Sequence, residues 1–131
     1  MLAAPNFDVP FQLTVDASDV GVGVVLEQQG LDGFDHPIAF FSKKLNKHQK
    51  NYSTIEKETL AIILGLQHFE VYLNPSSPIT IYTDHNPLVF LSKVRDRNQR
   101  LLRWSLYLQE YNLDIKHIKG KDNVVADALS R

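Results

Sequence analysis

The spacing of apolar residues changes period once along this chain, and that change restricts the fold more than any other feature. In "FQLTVDAS", Phe11, Leu13 and Val15 alternate with Gln12, Thr14 and Asp16, the period of two that belongs to a strand with one buried face. "DVGVGVVLEQQG" follows after a very short connection, with Val22, Val24 and Leu26 in one register and Gly21 and Gly23 in the other. The Asp-Gly pair of "LDGFD" marks a hairpin turn, and "HPIAFFS" supplies a third strand. Three strands joined by tight turns make an antiparallel meander. From Tyr52 the period lengthens to that of a helix. Ile55, Ile62, Leu66, Phe69 and Leu73 fall on one stripe, with Thr59 in its gap. Ser53 or Thr54 is the expected N-cap, and the prolines of "NPSSP" stop the helix after Leu73.

Downstream, "ITIYTD" reads as a strand and "NPLVFLS" as a brief helix opened by Pro87. "RNQRLLRWSLYLQEYN" reads as an amphipathic helix, "LDIKHIK" as a last strand and "NVVADALS" as a closing helix. A meander followed by two further strands reached through helices predicts an α/β domain, a mixed five-stranded sheet flanked by helices. No repeat or low-complexity linker divides the chain, so residues 1–131 are expected to form a single domain. No apolar run approaches the ~20 residues that cross a bilayer, so no membrane partner is expected. The chain has no cysteine, which excludes disulfides and thiolate metal sites. His36, His48, His68, His85 and His117 lack the paired spacing of a zinc site. A net charge of −1 means that any grip on nucleic acid must rest on local basic patches.

Four acids occupy informative places in this order. Asp16 lies on the first strand, Glu58 in the first turns of the long helix, Asp84 at the end of the fourth strand and Asp127 in the closing helix. On a helical wheel Glu58 falls within roughly 60° of the stripe centre and Glu56 about 100° away on the other side, so Glu58 points more nearly toward the sheet and Glu56 toward solvent. Carboxylates gathered at strand ends repel one another, and a divalent cation removes that conflict. Two such ions about 3.5–4 Å apart can serve an in-line phosphodiester cleavage. Spacing alone does not make the four converge.

"VDASDVGVGVVL", "YSTIEKETLAII", "IYTDHNPL" and "NVVADALSR", in this order, resemble the RNase H domain of gypsy-type LTR retrotransposon polyproteins over about Pro10 to Arg131. The resemblance implies the RNase H fold and a metal-binding quartet at Asp16, Glu58, Asp84 and Asp127. It makes Asp16 and Asp84 the central ligands, with Asp16 bridging two Mg²⁺ ions (Mn²⁺ as a substitute). Glu58 would serve the ion on the leaving side, and Asp127 the ion that activates water. The implied activity is endonucleolytic hydrolysis of the RNA strand of an RNA/DNA hybrid. His117 precedes Asp127 at a spacing where related enzymes carry a mobile histidine; a plain strand histidine is the other reading. His85 is expected to shape the strand-to-helix turn.

The resemblance also implies partners: a reverse transcriptase region upstream, of which 1–9 is a remnant, and an integrase region downstream. The chain then reads as a piece of a polyprotein, intracellular and cytoplasmic in a virus-like particle, or nuclear if captured by a host. A hybrid is gripped mostly through phosphates and 2′-hydroxyls. The residues expected to do so are Lys93, Arg95, Arg97, Arg100 and Arg103, Lys119 and Lys121 beside the last acid, and Asn86 at a sugar. A further basic stretch holds Lys43, Lys44, Lys47 and Lys50. Trp104, Tyr107 and Tyr111 are expected to pack on the sheet, and Tyr52 to act as a staple or a contact. The alternative function is a non-catalytic or host-captured module that binds nucleic acid or a protein without cutting.

Overall fold

A computed structural model of the chain describes residues 3–74, 77–84 and 99–117. Within them five strands form one mixed sheet: β1 (Gln12–Ala17), β2 (Gly21–Gln29), β3 (Asp35–Lys44), β4 (Pro78–Thr83) and β5 (Asn112–His117). The order across the sheet is β3-β2-β1-β4-β5. β1, β2 and β3 pair antiparallel as the expected meander, while β4 runs parallel to both β1 and β5. Parallel neighbours require a crossover, and the helix α1 (Thr54–His68) lies between β3 and β4 in the chain. A second helix, α2 (Gln99–Leu108), precedes β5. Among the described residues no helix is long and apolar enough to cross a membrane.

The period-two residues read from the sequence are the core. Leu13, Val15, Val22, Val24, Leu26, Ile79 and Ile81 are all buried, together with Ile62, Leu66 and Phe69 of α1. Each such side chain contributes about 1.5–3 kcal/mol when removed from water. Gly65 lets the helix approach closely, because a Cβ there would stand 2.8 Å from Val24 Cγ1. Ser53 is the N-cap, and with Glu56 it completes a capping box. Trp104, Tyr107 and Tyr111 pack against the core as expected. Tyr52 joins α1 to α2: its ring meets Trp104 edge-on at 5.9 Å and lies 4.0 Å below the Arg100 guanidinium.

Several boundaries differ from the sequence expectation. α1 stops at His68, and a 3₁₀ turn over Glu70–Tyr72 carries the chain onward. The tighter turn leaves Leu73 buried and Val71 exposed, so the stripe persists although the α-helix does not. β3 extends through Lys44, paired with Gly21, because the ladder continues beyond its last apolar residue. α2 ends at Leu108 instead of Asn112, as turns at Glu110 and Tyr111 release the chain into β5. The segment expected as a linker remnant lies against the sheet from residue 3. The Ala3 N–H donates to the Pro37 carbonyl (2.8 Å), and the buried Gln28 amide grips the carbonyls of Asn6 and Val9. The brief helix at Pro87 and the closing helix at 123–130 lie outside the described residues.

Candidate metal centre

Because β1 and β4 are parallel neighbours, their carboxyl ends reach the same edge of the sheet. Asp16 is the penultimate residue of β1, and Asp84 directly follows β4. α1 contributes Glu58 from its first turns. One oxygen from each of the three carboxylates lies within 4.8 Å of the other two. Asp16 is 4% exposed and Glu58 1%, while Asp84 is half-buried. The buried Thr83 hydroxyl donates to Glu58 Oε2 at 3.2 Å and so fixes its orientation. Three acids this close, mostly withheld from water, repel one another strongly. The set offers hard oxygen donors only, which suits Mg²⁺ or Mn²⁺ and not a softer thiophilic metal.

Glu56 departs from the wheel. It is buried, with both oxygens engaged: Oε1 accepts from the Ser53 N–H at 3.0 Å, and Oε2 pairs with Arg100. Burial acts to raise its pKa, but the Ser53 backbone N–H, the Arg100 guanidinium and the Ser53 hydroxyl outweigh it and hold the carboxyl below its ordinary value. The wheel considered one helix in isolation and could not include Arg100 from α2. With Glu56 committed to the cap, Glu58 is the α1 acid that faces Asp16 and Asp84.

His117 ends β5 opposite Thr83, and its Nε2 donates to the Asp84 carbonyl at 3.1 Å. It is therefore both a strand residue and an exposed neighbour of the acidic edge. Arg100, expected on the nucleic-acid surface, is engaged within the chain by Glu56 and Tyr52, and Arg103 is exposed. Lys43, Lys44, Lys47 and Lys50 are also exposed. Asp127, His85, Asn86, Lys93, Arg95, Arg97, Lys119 and Lys121 lie outside the described residues. The sequence reading passed over Lys57, which lines a cleft of about 400 Å³ with Asp16, Asp19, Thr54 and Asp84. Its only signal there was a basic residue set between two glutamates.

Residues 6–111 match the family described as "RNase H-like domain found in reverse transcriptase". The chain is 50% identical over its whole length to the Retrovirus-related Pol polyprotein from transposon opus of Drosophila melanogaster, covering 13% of that protein. Against the corresponding polyprotein from transposon gypsy of the same organism it is 42% identical, again over its whole length and 12% of that protein. The chain thus spans about an eighth of the length of these curated relatives. The foamy viral protease-reverse transcriptase in complex with RNA/DNA hybrid superposes with a TM-score of 0.73 at 18% identity, covering 91% of this chain and 16% of that one. RNase H1 from the halophilic archaeon Halobacterium salinarum NRC-1 gives 0.63 at 20% identity, over 92% of this chain and 93% of that one. At these identities the structural likeness establishes the fold, a mixed five-stranded sheet of the RNase H type.

Proposed function

The chain belongs to the family of RNase H-like domains found in reverse transcriptase, and on that premise we propose that it cuts the RNA strand of RNA/DNA hybrids within an LTR-retrotransposon Pol polyprotein. The observation that carries the reading is the convergence of Asp16, Glu58 and Asp84, three hard ligands within 4.8 Å at one sheet edge. A solved relative of the same fold in complex with an RNA/DNA hybrid supports the substrate class. The family description and the Pol polyprotein relatives support covalent neighbours in a longer polyprotein, for which we propose a reverse transcriptase region and an integrase region.

In this proposal Asp16, Glu58 and Asp84 hold a divalent cation, Mg²⁺ with Mn²⁺ as a substitute, and Asp127 is the fourth ligand. Bound there, the metal supplies Lewis-acid stabilisation of the charge that develops on the phosphate. The chain's own contribution is preorganisation. Asp16 and Glu58 are buried and the Thr83 hydroxyl orients Glu58, so the oxygens stand in place before a ligand arrives. We assign to His117, whose Nε2 donates to the Asp84 carbonyl, the return of a proton to the leaving 3′-oxygen; its position beside the acidic edge supports this role. A water oxygen gives up a proton to solvent and bonds to phosphorus, the P–O3′ bond breaks, and O3′ takes the proton from His117, which leaves a 5′-phosphate and a 3′-hydroxyl.

The test compares cleavage of labelled hybrid, double-stranded RNA and double-stranded DNA with and without Mg²⁺. Only the hybrid should be cut, and only with metal. Asp84→Asn should lower the rate more than about 100-fold while circular dichroism stays unchanged. A hybrid that is bound yet remains intact in both Mg²⁺ and Mn²⁺ would replace this reading with the non-catalytic module.

A further inference from the structure

We propose that Lys57 is a phosphate-binding residue of the same cleft, with Asp19 as the anion that holds its ammonium until nucleic acid arrives; the inference rests on the nuclease reading above. Lys57 is the only basic side chain among the described residues that line the cleft with Asp16 and Asp84. Its side chain is 10% exposed, and its Nζ stands 3.3 Å from Asp19 Oδ1. Three local features count against an ammonium here, and the negative charge of the acids that share its cleft is what offsets them. A long cationic side chain ordinarily carries its charged head out to water, whereas this one is buried. It sits in the first turn of α1, where the unpaired N–H groups already form the positive end of the helix. Its ion-pair partner on the β1–β2 turn is fully exposed, and so solvated an anion returns little for the desolvation of a lysine.

A nucleic-acid strand makes sense of the arrangement. To reach Asp16, Glu58 and Asp84 its phosphates must enter a wall of negative charge, and Lys57 is the cation built into that wall. An ammonium is a compact point charge with three rotatable donors, suited to a phosphate oxygen. Exchange of Asp19 for a phosphate leaves the lysine paired throughout, so binding never strands a buried charge. Asp19 is free to swing away because its side chain is wholly in solvent.

The full chain is titrated against a fluorescein-labelled RNA/DNA hybrid in EDTA, where cleavage does not compete, at several salt concentrations. Lys57→Gln, and Lys57→Met, which keeps the buried stem, should bind about tenfold more weakly at low salt, the equivalent of one charge-assisted hydrogen bond. The log–log salt slope should become shallower by about 0.9, one phosphate contact, and Lys57→Arg should restore most of it. Asp19→Asn should tighten binding, and most of that gain should vanish in the Lys57→Met background. An unchanged salt slope in both charge-removing variants overturns the assignment. So does tighter Mg²⁺ binding with unchanged hybrid affinity, which would make Lys57 a counter-ion of the acids. If the unaltered chain cuts the hybrid while the variant slopes are unchanged, the lysine assignment alone fails; if it neither binds nor cuts hybrid in Mg²⁺ or Mn²⁺, the nuclease reading fails with it.

Discussion

Replacement of Asp16 by asparagine removes one charge from three carboxylates whose oxygens lie within 4.8 Å of one another, and the metal-free protein should become more stable as a result. At 4.8 Å two unit charges repel by about 1 kcal/mol in bulk water and about 3.5 kcal/mol at an effective dielectric near 20. Asp16 faces two neighbours and is almost fully buried, so its neutralisation relieves two such repulsions nearer the upper figure. Hydrogen bonds that a carboxylate accepts better than an amide, worth about 1.5–3 kcal/mol, return part of this, which leaves a net gain of ~4 kcal/mol. For a chain of this size that raises Tm by roughly 4 °C per kcal/mol. Added Mg²⁺ stabilises both proteins, but unequally. A metal present at 100 times its Kd stabilises the unaltered chain by about 2.7 kcal/mol and the variant by much less. Thermal melts in EDTA and in Mg²⁺ should therefore show Asp16→Asn melting higher without metal, with that lead cut by more than half once Mg²⁺ is added. Should the variant melt lower in EDTA, or should Mg²⁺ raise both proteins equally, the three acids are not a repelling, metal-seeking group.

Gly65→Ala places a methyl 2.8 Å from Cγ1 and 3.2 Å from Cγ2 of the buried, β-branched Val24, so overpacking of ~1–3 kcal/mol exceeds the helix-propensity gain of ~1 kcal/mol. The urea midpoint should fall, and adding Val24→Ala should cost less than the sum of the two single changes. Burial pushes the Glu27 carboxyl above its ordinary 4.5, and Asp35 adds to this against the Thr14 hydroxyl. The folded state then holds that proton more tightly than the unfolded chain, so ionisation costs stability as pH rises above 4.5. Glu27→Gln should raise Tm at pH 7, with the gain fading below pH 4.5. Glu56 has the opposite sign: its depressed pKa supplies stability above 4.5 that is lost as pH falls through the folded value. Glu56→Gln should thus cost roughly 1–2 kcal/mol at pH 7 and converge with the unaltered chain in acid-denaturation curves.

The elements with a plain period were legible, and the tertiary choices were not. β1, β2 and β4 announce themselves because Leu13 and Val15, Val22 and Val24, and Ile79 and Ile81 set a buried apolar side chain at every second position. The end of α1 was hidden because Leu73 keeps the stripe spacing even though the backbone tightens after Phe69. Glu56 looked solvent-facing because its partner, Arg100, lies on another helix 44 residues later. The acids at the ends of β1 and β4 were visible as residue types, but their convergence depends on those two strands being parallel neighbours. No local period encodes that pairing, so the resemblance to a known family had to supply it. Lys57 escaped notice for a related reason, since between two glutamates it reads as an ordinary charge on a helix.

The parallel ladder between β1 and β4, in which Gln12 meets Thr80 and Thr14 meets Tyr82, also sets a schedule. The first strand leaves the ribosome long before the neighbour that will lie against its inner edge. At about 5–20 residues per second the nascent chain holds both Asp16 and Glu58 for roughly 1–5 s before Asp84 emerges. Non-local pairing of this kind must pay its loop-closure entropy before any contact rewards it, so the acidic edge is among the last parts to assemble. Translation products that stop short of β4 are therefore silent: they carry two of the three acids and no edge on which to hold them together.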